Sequence, residues 1–336
     1  MSLNKEFKPF KISIALCTYN GAQFLQEQLE SIALQTRIPD EMIICDDQSK
    51  DGTLEILRNF ASKVSFPVRV RLNETNLGST KNFEKAIKLC TGDIIFLSDQ
   101  DDLWHPDKLE QIEKVFFSNP HVDAVFTNAE VVDECSQPLG YTLWESVGFY
   151  QREQKLIKAG KPLKVLVRHN VVTGATMAFR SKLRFFLLPI PAIWVHDAWI
   201  ALLVAFMSNL EIISEPLIKY RQHSMQQIGA GYEQNLFSII KGTAHQFNQV
   251  QNDPRRYSDW YNQYKLAYEN LTDRQLPLAD EDSIQLIENK ISHLKVRANL
   301  PKGKIQRLPI LIKELIKLNY HRYSYGFYSF GGDILR

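Results

Sequence analysis

The chain has 336 residues, of which 44% are hydrophobic and 23% charged, with a formal net charge of +2. That length holds one large α/β domain with an appendage, or two domains, and the near balance of charge excludes a generic nucleic-acid binder. No apolar run is long enough to span a bilayer and MSLNKEFKPFK lacks the apolar core of a secretory signal, so the cytoplasm is the expected location. Cys17, Cys45, Cys90 and Cys135 show no CxxC or Cys/His metal spacing and read as small buried thiols.

In chain order, Ile12–Cys17 reads as a buried strand and Ala22–Leu34 as a helix with Leu25, Leu29 and Ile32 on one face. Met42–Cys45 is a second strand, followed by a helix over Thr53–Phe60 opened by the Asp51-Gly52 turn. Val68–Leu72, Ile94–Ser98 and Ala124–Thr127 continue as strands, separated by helices over Thr80–Leu89 and Pro106–Phe116, the latter with proline at a first helical position. This β-α-β-α order implies a mostly parallel central sheet flanked by helices, an α/β fold. Val131–Lys164 reads as loop-rich. Thr176–Phe179 is a returning strand, Ala198–Met207 a helix, and Glu211–Ser214 and Leu217–Tyr220 two further strands. From Tyr232 the pattern turns helical and polar. The expected division is therefore an α/β domain over 1–231, with halves at about 10–130 and 131–231, and a helical C-terminal extension over 232–336.

Ligands of open α/β sheets bind at the carboxyl ends of the strands. Three polar clusters lie there: Thr18-Tyr19-Asn20, Asp46-Asp47, and Asp99-Gln100-Asp101-Asp102. Crowded carboxylates repel one another unless a cation neutralises them, and oxygen ligands of this kind suit Mg²⁺ or Mn²⁺ held together with substrate phosphates. The competing reading of the acidic run is a solvated turn before the next helix. Tyr19 reads either as a ring beside a nucleobase or as the close of a strand. Asp47 reads either as an acceptor for a base or ribose or as a cap on the turn before Thr53.

The string ISIALCTYNGAQFLQEQLESI, then MIICDDQSKDGT, NLGSTKNFEKAI and GDIIFLSDQDDLWHPDKLE, resembles the family 2 glycosyltransferases, which have the GT-A fold. The resemblance runs to about Thr127. It implies that Thr18, Tyr19, Asn20, Asp47, Asn76, Gly78 and Asp99 bind a nucleotide-diphosphate sugar donor. It also implies that Asp99 and Asp101 form the Asp-x-Asp metal motif. NVVTGATMAFR resembles the acceptor-side strand, with Thr173 and Gly174 near the sugar. WVHDAWIALL brings Asp197 to a helix start, where the family keeps its catalytic base; capping that helix is the other reading. His196 stands where the family usually has Glu, and Trp199 follows on the acceptor side. His196-Asp197 and YRQHSMQQIGA resemble a rhamnosyltransferase-like branch. In the second string, His223 is either a ligand of the metal or diphosphate or a satisfied polar residue, and Arg221 is a candidate phosphate partner.

The resemblance implies an inverting, single-displacement transfer onto a glycan or lipid-linked glycan acceptor in cell-surface polysaccharide synthesis. A nucleotidyltransferase would need a Gly-rich, Arg-containing loop where CTYNGAQF stands, and a nicotinamide dehydrogenase would need GxGxxG there. A polymerising synthase would carry Gln-x-x-Arg-Trp and transmembrane helices. The remaining alternative is a non-catalytic sugar-nucleotide-binding or scaffold protein on a decayed transferase fold.

Past Lys295 the cations Lys295, Arg297, Lys302, Lys304, Arg307, Lys313, Lys317, Arg322 and Arg336 face only Glu314 and Asp333. Leu308, Leu311, Ile312, Leu315 and Ile316 recur at helical spacing, followed by Tyr320, Tyr323, Tyr325, Phe327, Tyr328 and Phe330. A basic amphipathic helix with aromatic neighbours reads as an interfacial element giving peripheral membrane contact; packing against protein is the other reading.

Overall fold

The computed structural model describes residues 9–224, 226, 254–273 and 280–336. Strand β1 (Ile12–Thr18) is buried at every position, as a strand covered on both faces must be. Helix α1 (Leu25–Ala33) lays Leu25, Leu29 and Ile32 against the sheet, and truncating any of these to Ala costs about 2–5 kcal/mol. The alternation continues through β2 (Glu41–Asp46), α2 (Thr53–Ala61), β3 (Val68–Leu72), α3 (Ser79–Leu89) and β4 (Ile94–Ser98). Then come β5 (Leu103–Trp104), α4 (Lys108–Ser118), β6 (Val122–Val132), β7 (Pro138–Thr142), α5 (Leu143–Ser146), α6 (Gln151–Lys158) and α7 (Pro162–Leu166). The stretch ends with β8 (Met177–Arg180), α8 (Arg184–Leu187), α9 (His196–Met207) and β9 (Asn209–Arg221).

Among the described residues the strands form one sheet ordered β3-β2-β1-β4-β8-β6-β9-β5, with β7 on β6. β3, β2, β1 and β4 are mutually parallel, and so are β6 and β9. β8 enters antiparallel to both β4 and β6, and β5 antiparallel to β9. The register sets Thr18 beside Asp46, and Leu16 beside Ser98, so the polar clusters leave the sheet along one edge. Phe96 pairs with Ala178 and Ile94 with Arg180; the start of β8, with Gly174 just before it, therefore lies at the end of β4 that leads into Asp99. In the same way Leu103 pairs with Lys219, bringing the acidic run to the end of β9 that leads into His223.

Several elements differ from expectation. Glu211–Tyr220 is one strand, because Pro216 sits at a register shift against Asn128 where the ladder needs no N–H. The stretch read as loop-rich contains β7 and three helices. The first of these opens with a capping box in which Thr142 and Glu145 exchange bonds with each other's backbone. Helix α4 starts at Lys108, since the Pro106 carbonyl is taken by Thr36 N at 2.9 Å. Cys135 is exposed, unlike the other three cysteines.

Contacts divide the chain into two units, Met1–Gly148 with Val172–Val204 and Asn209–Ala230, and Phe149–Val171 with Ala205–Ser208 and Gly231–Arg336. The boundary expected at 231 lies outside the described residues; Phe149–Val171, expected in the first domain, groups with the C-terminal helices. Tyr232, from which the helical extension was read, lies outside the described residues. In the second unit α10 (Pro254–Asp273) and α11 (Glu281–Ala298) are followed by α12 (Lys304–Ile316), α13 (Asn319–Tyr323) and α14 (Phe327–Leu335). Its core is polar. Arg297 reaches Asp333 at 2.6 Å, Ser324 at 2.7 Å and Tyr257 at 2.6 Å, and the Tyr320 hydroxyl donates to Asp333 at 2.7 Å. His293 bridges Glu314 and Ser324. Arg297, Arg307, Leu311, Tyr320 and Tyr323 are therefore interior residues, not parts of the interfacial element the sequence suggested.

Lys290 is buried too, its ammonium donating to the Tyr323 carbonyl at 2.7 Å. Burial, with Arg297 nearby, pushes it down to about 7. Above pH 7 the folded chain holds this amine neutral while the unfolded chain still binds the proton, so it adds stability as pH rises from about 7 toward its ordinary value. Thermal unfolding of wild type and Lys290→Met should diverge across that window, with the wild-type midpoint climbing relative to the variant. Parallel curves would refute the assignment.

Candidate active site

The first two strand ends are tied together before they can bind anything. Thr18 Oγ1 donates to Asp46 Oδ2 at 2.7 Å, and Asp46 also receives the Ser49 amide and hydroxyl. Ser49 in turn accepts the Asn20 amide at 2.8 Å, while Asn20 Oδ1 accepts from Lys50 N at 2.8 Å. Asn20 has φ 47°, a left-handed conformation that asparagine tolerates. Thr18 is thus buried and serves the strand end instead of opening toward a donor, whereas Tyr19 is left 51% exposed.

Gln100 was read only as part of the acidic cluster, yet it joins the two main strand ends. Its Oε1 accepts from Tyr19 N at 2.8 Å and its Nε2 donates to Tyr19 O at 3.1 Å. A Cβ at Gly21 would overlap this amide, so a larger residue there would displace the Gln100 side chain from Tyr19. The signal in the sequence was the Gly after Tyr-Asn together with an amide inside Asp-x-Asp.

Asp47 is buried and spends both oxygens on the following loop: Oδ1 accepts from Asn73 Nδ2 and Leu77 N, each at 2.7 Å, and Oδ2 from Gly78 N at 2.8 Å. Asn76 Nδ2 donates to the Asp47 carbonyl at 3.1 Å. Gly78, at φ +76°, opens α3. Asp47 therefore shapes the Asn76–Gly78 loop; the turn before α2 is capped by Asp51, which accepts from Thr53 N and Oγ1.

The acidic run divides its labour. Asp102 is fully buried; its Oδ1 accepts from Arg221 N at 3.1 Å, its Oδ2 has no partner, and burial together with Asp101 and Asp99 pushes its carboxyl up. Lys108 lies beneath the Trp104 ring and donates to the Ala175 carbonyl at 2.7 Å. Burial pushes this ammonium down against the pull of Asp102 and Asp99. Asp99 is half-buried, and burial, then Asp101 and Asp197, push it up to about 8. Asp101 Oδ2 lies 2.8 Å from His223 Nε2, whose ring packs on Phe24. Arg221 is not available to a phosphate. It is buried, and its side chain donates to the Asp101 and Glu134 carbonyls and to Glu27.

Among the described residues no three His, Cys, Asp or Glu side chains are gathered as a ready cation cage. Mg²⁺ and Mn²⁺ sites of the phosphate-binding kind need only one or two carboxylates. Asp99 and Asp101 fit that share, since their mutual repulsion in a half-buried crevice is what a divalent ion relieves.

On the other side of Asp99, Asp197 sits in the first turn of α9; its Oδ2 accepts from Gly174 N at 2.9 Å and its Oδ1 from Ala198 N at 2.6 Å. His196 is buried, stacked on Phe83 at 3.9 Å, with neither ring nitrogen partnered, and burial pushes it down while Asp197 opposes. A Cβ on Gly174 would stand 2.7 Å from His196 Nε2. Thr173 is half-buried and its carbonyl accepts from Thr176 N and Oγ1. Trp199, expected on the acceptor side, is instead a core residue with no exposed surface, its indole donating to the Leu187 carbonyl at 2.8 Å.

Because Asp99 holds a proton up to about pH 8, a divalent ion must displace it. Mn²⁺ affinity measured by calorimetry should therefore rise about tenfold per pH unit below that value and level off above it, with Asp101→Ala weakening it throughout. A flat profile from pH 6 to 8 would remove Asp99 from the ion's ligands.

The motif-bearing segment is similar to known proteins. Residues 13–181, half of the chain, match the model described as glycosyl transferase family 2. dTDP-rhamnosyl transferase RfbG of Shigella flexneri is 39% identical over 111 residues, 31% of this chain and 38% of that protein. The chain spans only part of the curated relatives it matches, 45%, 65% and 36% of the length of three of them. Among solved structures, S. aureus TarS 1-349 in complex with UDP-GlcNAc has a TM-score of 0.57 at 17% identity, covering 96% of this chain and 88% of that one. The mannosyltransferase PcManGT from Pyrobaculum calidifontis, in complex with GDP-Man and Mn²⁺, has a TM-score of 0.52 at 17% identity, covering 92% and 77%. At such identity these two speak for the fold, which is of GT-A type, while the matched motif-bearing segment identifies the chain as a member of glycosyl transferase family 2.

Proposed function

We propose that the chain is an inverting, metal-dependent glycosyltransferase that moves a sugar from a nucleotide diphosphate to a hydroxyl of a glycan or lipid-linked glycan in cell-surface polysaccharide synthesis. A lipid-linked acceptor would put the reaction at the cytoplasmic face of the cell membrane. The observation that carries the reading is geometric: the start of β8 lies at the end of β4 that leads into Asp99, and Gly174, just before β8, holds the Asp197 carboxylate at 2.9 Å, which supports a proton acceptor working beside the metal-motif carboxylate. The stretch in common with RfbG favours rhamnose on a thymidine carrier as donor. The nucleotide sugars held by TarS and PcManGT support the donor class.

Asp99 and Asp101 would hold the divalent ion, whose positive charge would offset that of the departing diphosphate. The chain's own residues do the rest. Tyr19, open above the strand ends, offers a face to the base, and the Asn76–Gly78 loop frames the donor. The acceptor hydroxyl is a poor nucleophile; Asp197 takes its proton as oxygen attacks the anomeric carbon and the glycosidic bond to phosphate breaks on the opposite face. Gly174 N fixes the carboxylate at 2.9 Å, so its orientation does not depend on the acceptor. One proton-transfer carboxylate suffices, because a diphosphate, unlike the sugar alkoxide a glycosidase must expel, leaves without being protonated. His223 orients Asp101 through its 2.8 Å contact and is the further candidate ligand.

Asp197→Asn should leave donor affinity unchanged while slowing transfer by roughly 10²–10⁴-fold, measured by donor titration and product formation in parallel. A variant as fast as wild type would remove the base. A wild-type protein that binds nucleotide sugar but never turns it over, even by hydrolysis with Mn²⁺ present, would favour the scaffold reading instead.

A further inference from the structure

Helix α12 is inverted relative to the ordinary rule that helices hide their apolar stripe. Its interior positions are Arg307, Leu311 and Glu314. Arg307 donates to the carbonyls of Pro301, Lys302 and Asp333, and Glu314 accepts from His293 and Asn319. The charges are thus the anchors of the helix. Its outward face carries Ile305, Leu308, Ile312 and Ile316, which are 84%, 40%, 48% and 76% exposed. At 3.6 residues per turn these four form a single stripe. Exposed Lys304 borders it on one side and exposed Lys313 and Lys317 on the other, and Leu318 extends it past the helix end at 50% exposure. The helix contains one acidic residue, Glu314, and that one is buried.

We propose that this face of α12 is a docking surface for an anionic phospholipid membrane. Isoleucines this exposed lose their cost in water only against an apolar phase, and the flanking ammonium groups select one with a negative surface. A second copy of the chain is the poorer occupant, because pairing the stripe with itself across a two-fold axis would bring the lysines of both copies together. The helix lies on the bilayer and does not cross it, since no helix among the described residues is long and apolar enough to span a membrane. The inference goes beyond the reaction and does not depend on it.

The test is sedimentation of the full chain with vesicles of phosphatidylcholine alone and with added phosphatidylglycerol. Wild type should bind the anionic vesicles and release them at high salt. Replacing Lys304, Lys313 and Lys317 with Gln should weaken that binding by roughly a hundredfold, and Ile305→Ser with Ile312→Ser and Ile316→Ser should abolish it. All six side chains are exposed, so unfolding temperature should not change. The proposal is overturned if wild type ignores anionic vesicles, if the serine variant binds like wild type, or if wild type is a dimer that the serine variant splits. Donor hydrolysis measured on the same proteins separates the two questions: vesicle binding without turnover sinks the transferase reading alone.

Discussion

The structure turns on an imbalance of charge. Asp99, Asp101, Asp102 and Asp197 act on one another at the ends of β4 and β9 and the start of α9, and Lys108 is the cation set against Asp99 and Asp102. Carboxylates this close, Asp102 buried and the other three half-buried, cannot all be charged without a counter-ion. The sheet holds them there nonetheless, because β8 and β5 run antiparallel to their neighbours and return the chain to the same edge. Folding therefore stores an electrostatic demand that a divalent cation is suited to meet.

Much of this was legible in the residues. The alternation of apolar runs and helical stripes gave the parallel half of the sheet nearly to the residue, since covered strands and one-sided helices leave unambiguous periodicities. Placing polar clusters at strand ends was enough to gather Tyr19, Asp99 and Asp101, and the family motif added Asp197. What failed was finer. Thr18, Asp47 and Arg221 have the chemistry of ligand-binding residues, but each is consumed by its own backbone or by a neighbouring carboxylate. Trp199 looked like part of a motif and is core. Single-sequence patterns register residue type and spacing; they do not register whether a donor is already taken.

The C-terminal unit shows the same limit in the opposite sense. A run of cations with apolar residues at helical spacing suggested an interfacial element whose cations all face a membrane surface. The structure buries Arg297, Arg307 and Glu314 in a network with Asp333, Tyr320 and His293, and turns isoleucines to solvent. Removing one member of such a network leaves an uncompensated buried group, so these positions constrain the unit more tightly than an apolar core of equal size would.

The Gln100 amide, held between Asp99 and Asp101 and bonded to both the amide and the carbonyl of Tyr19, makes the Tyr19 backbone and the acidic run one mechanical piece. Ordering either end orders the other. Ligands bound at the two ends would then be reciprocally linked: whatever factor the first contributes to the affinity of the second, the second must return to the first.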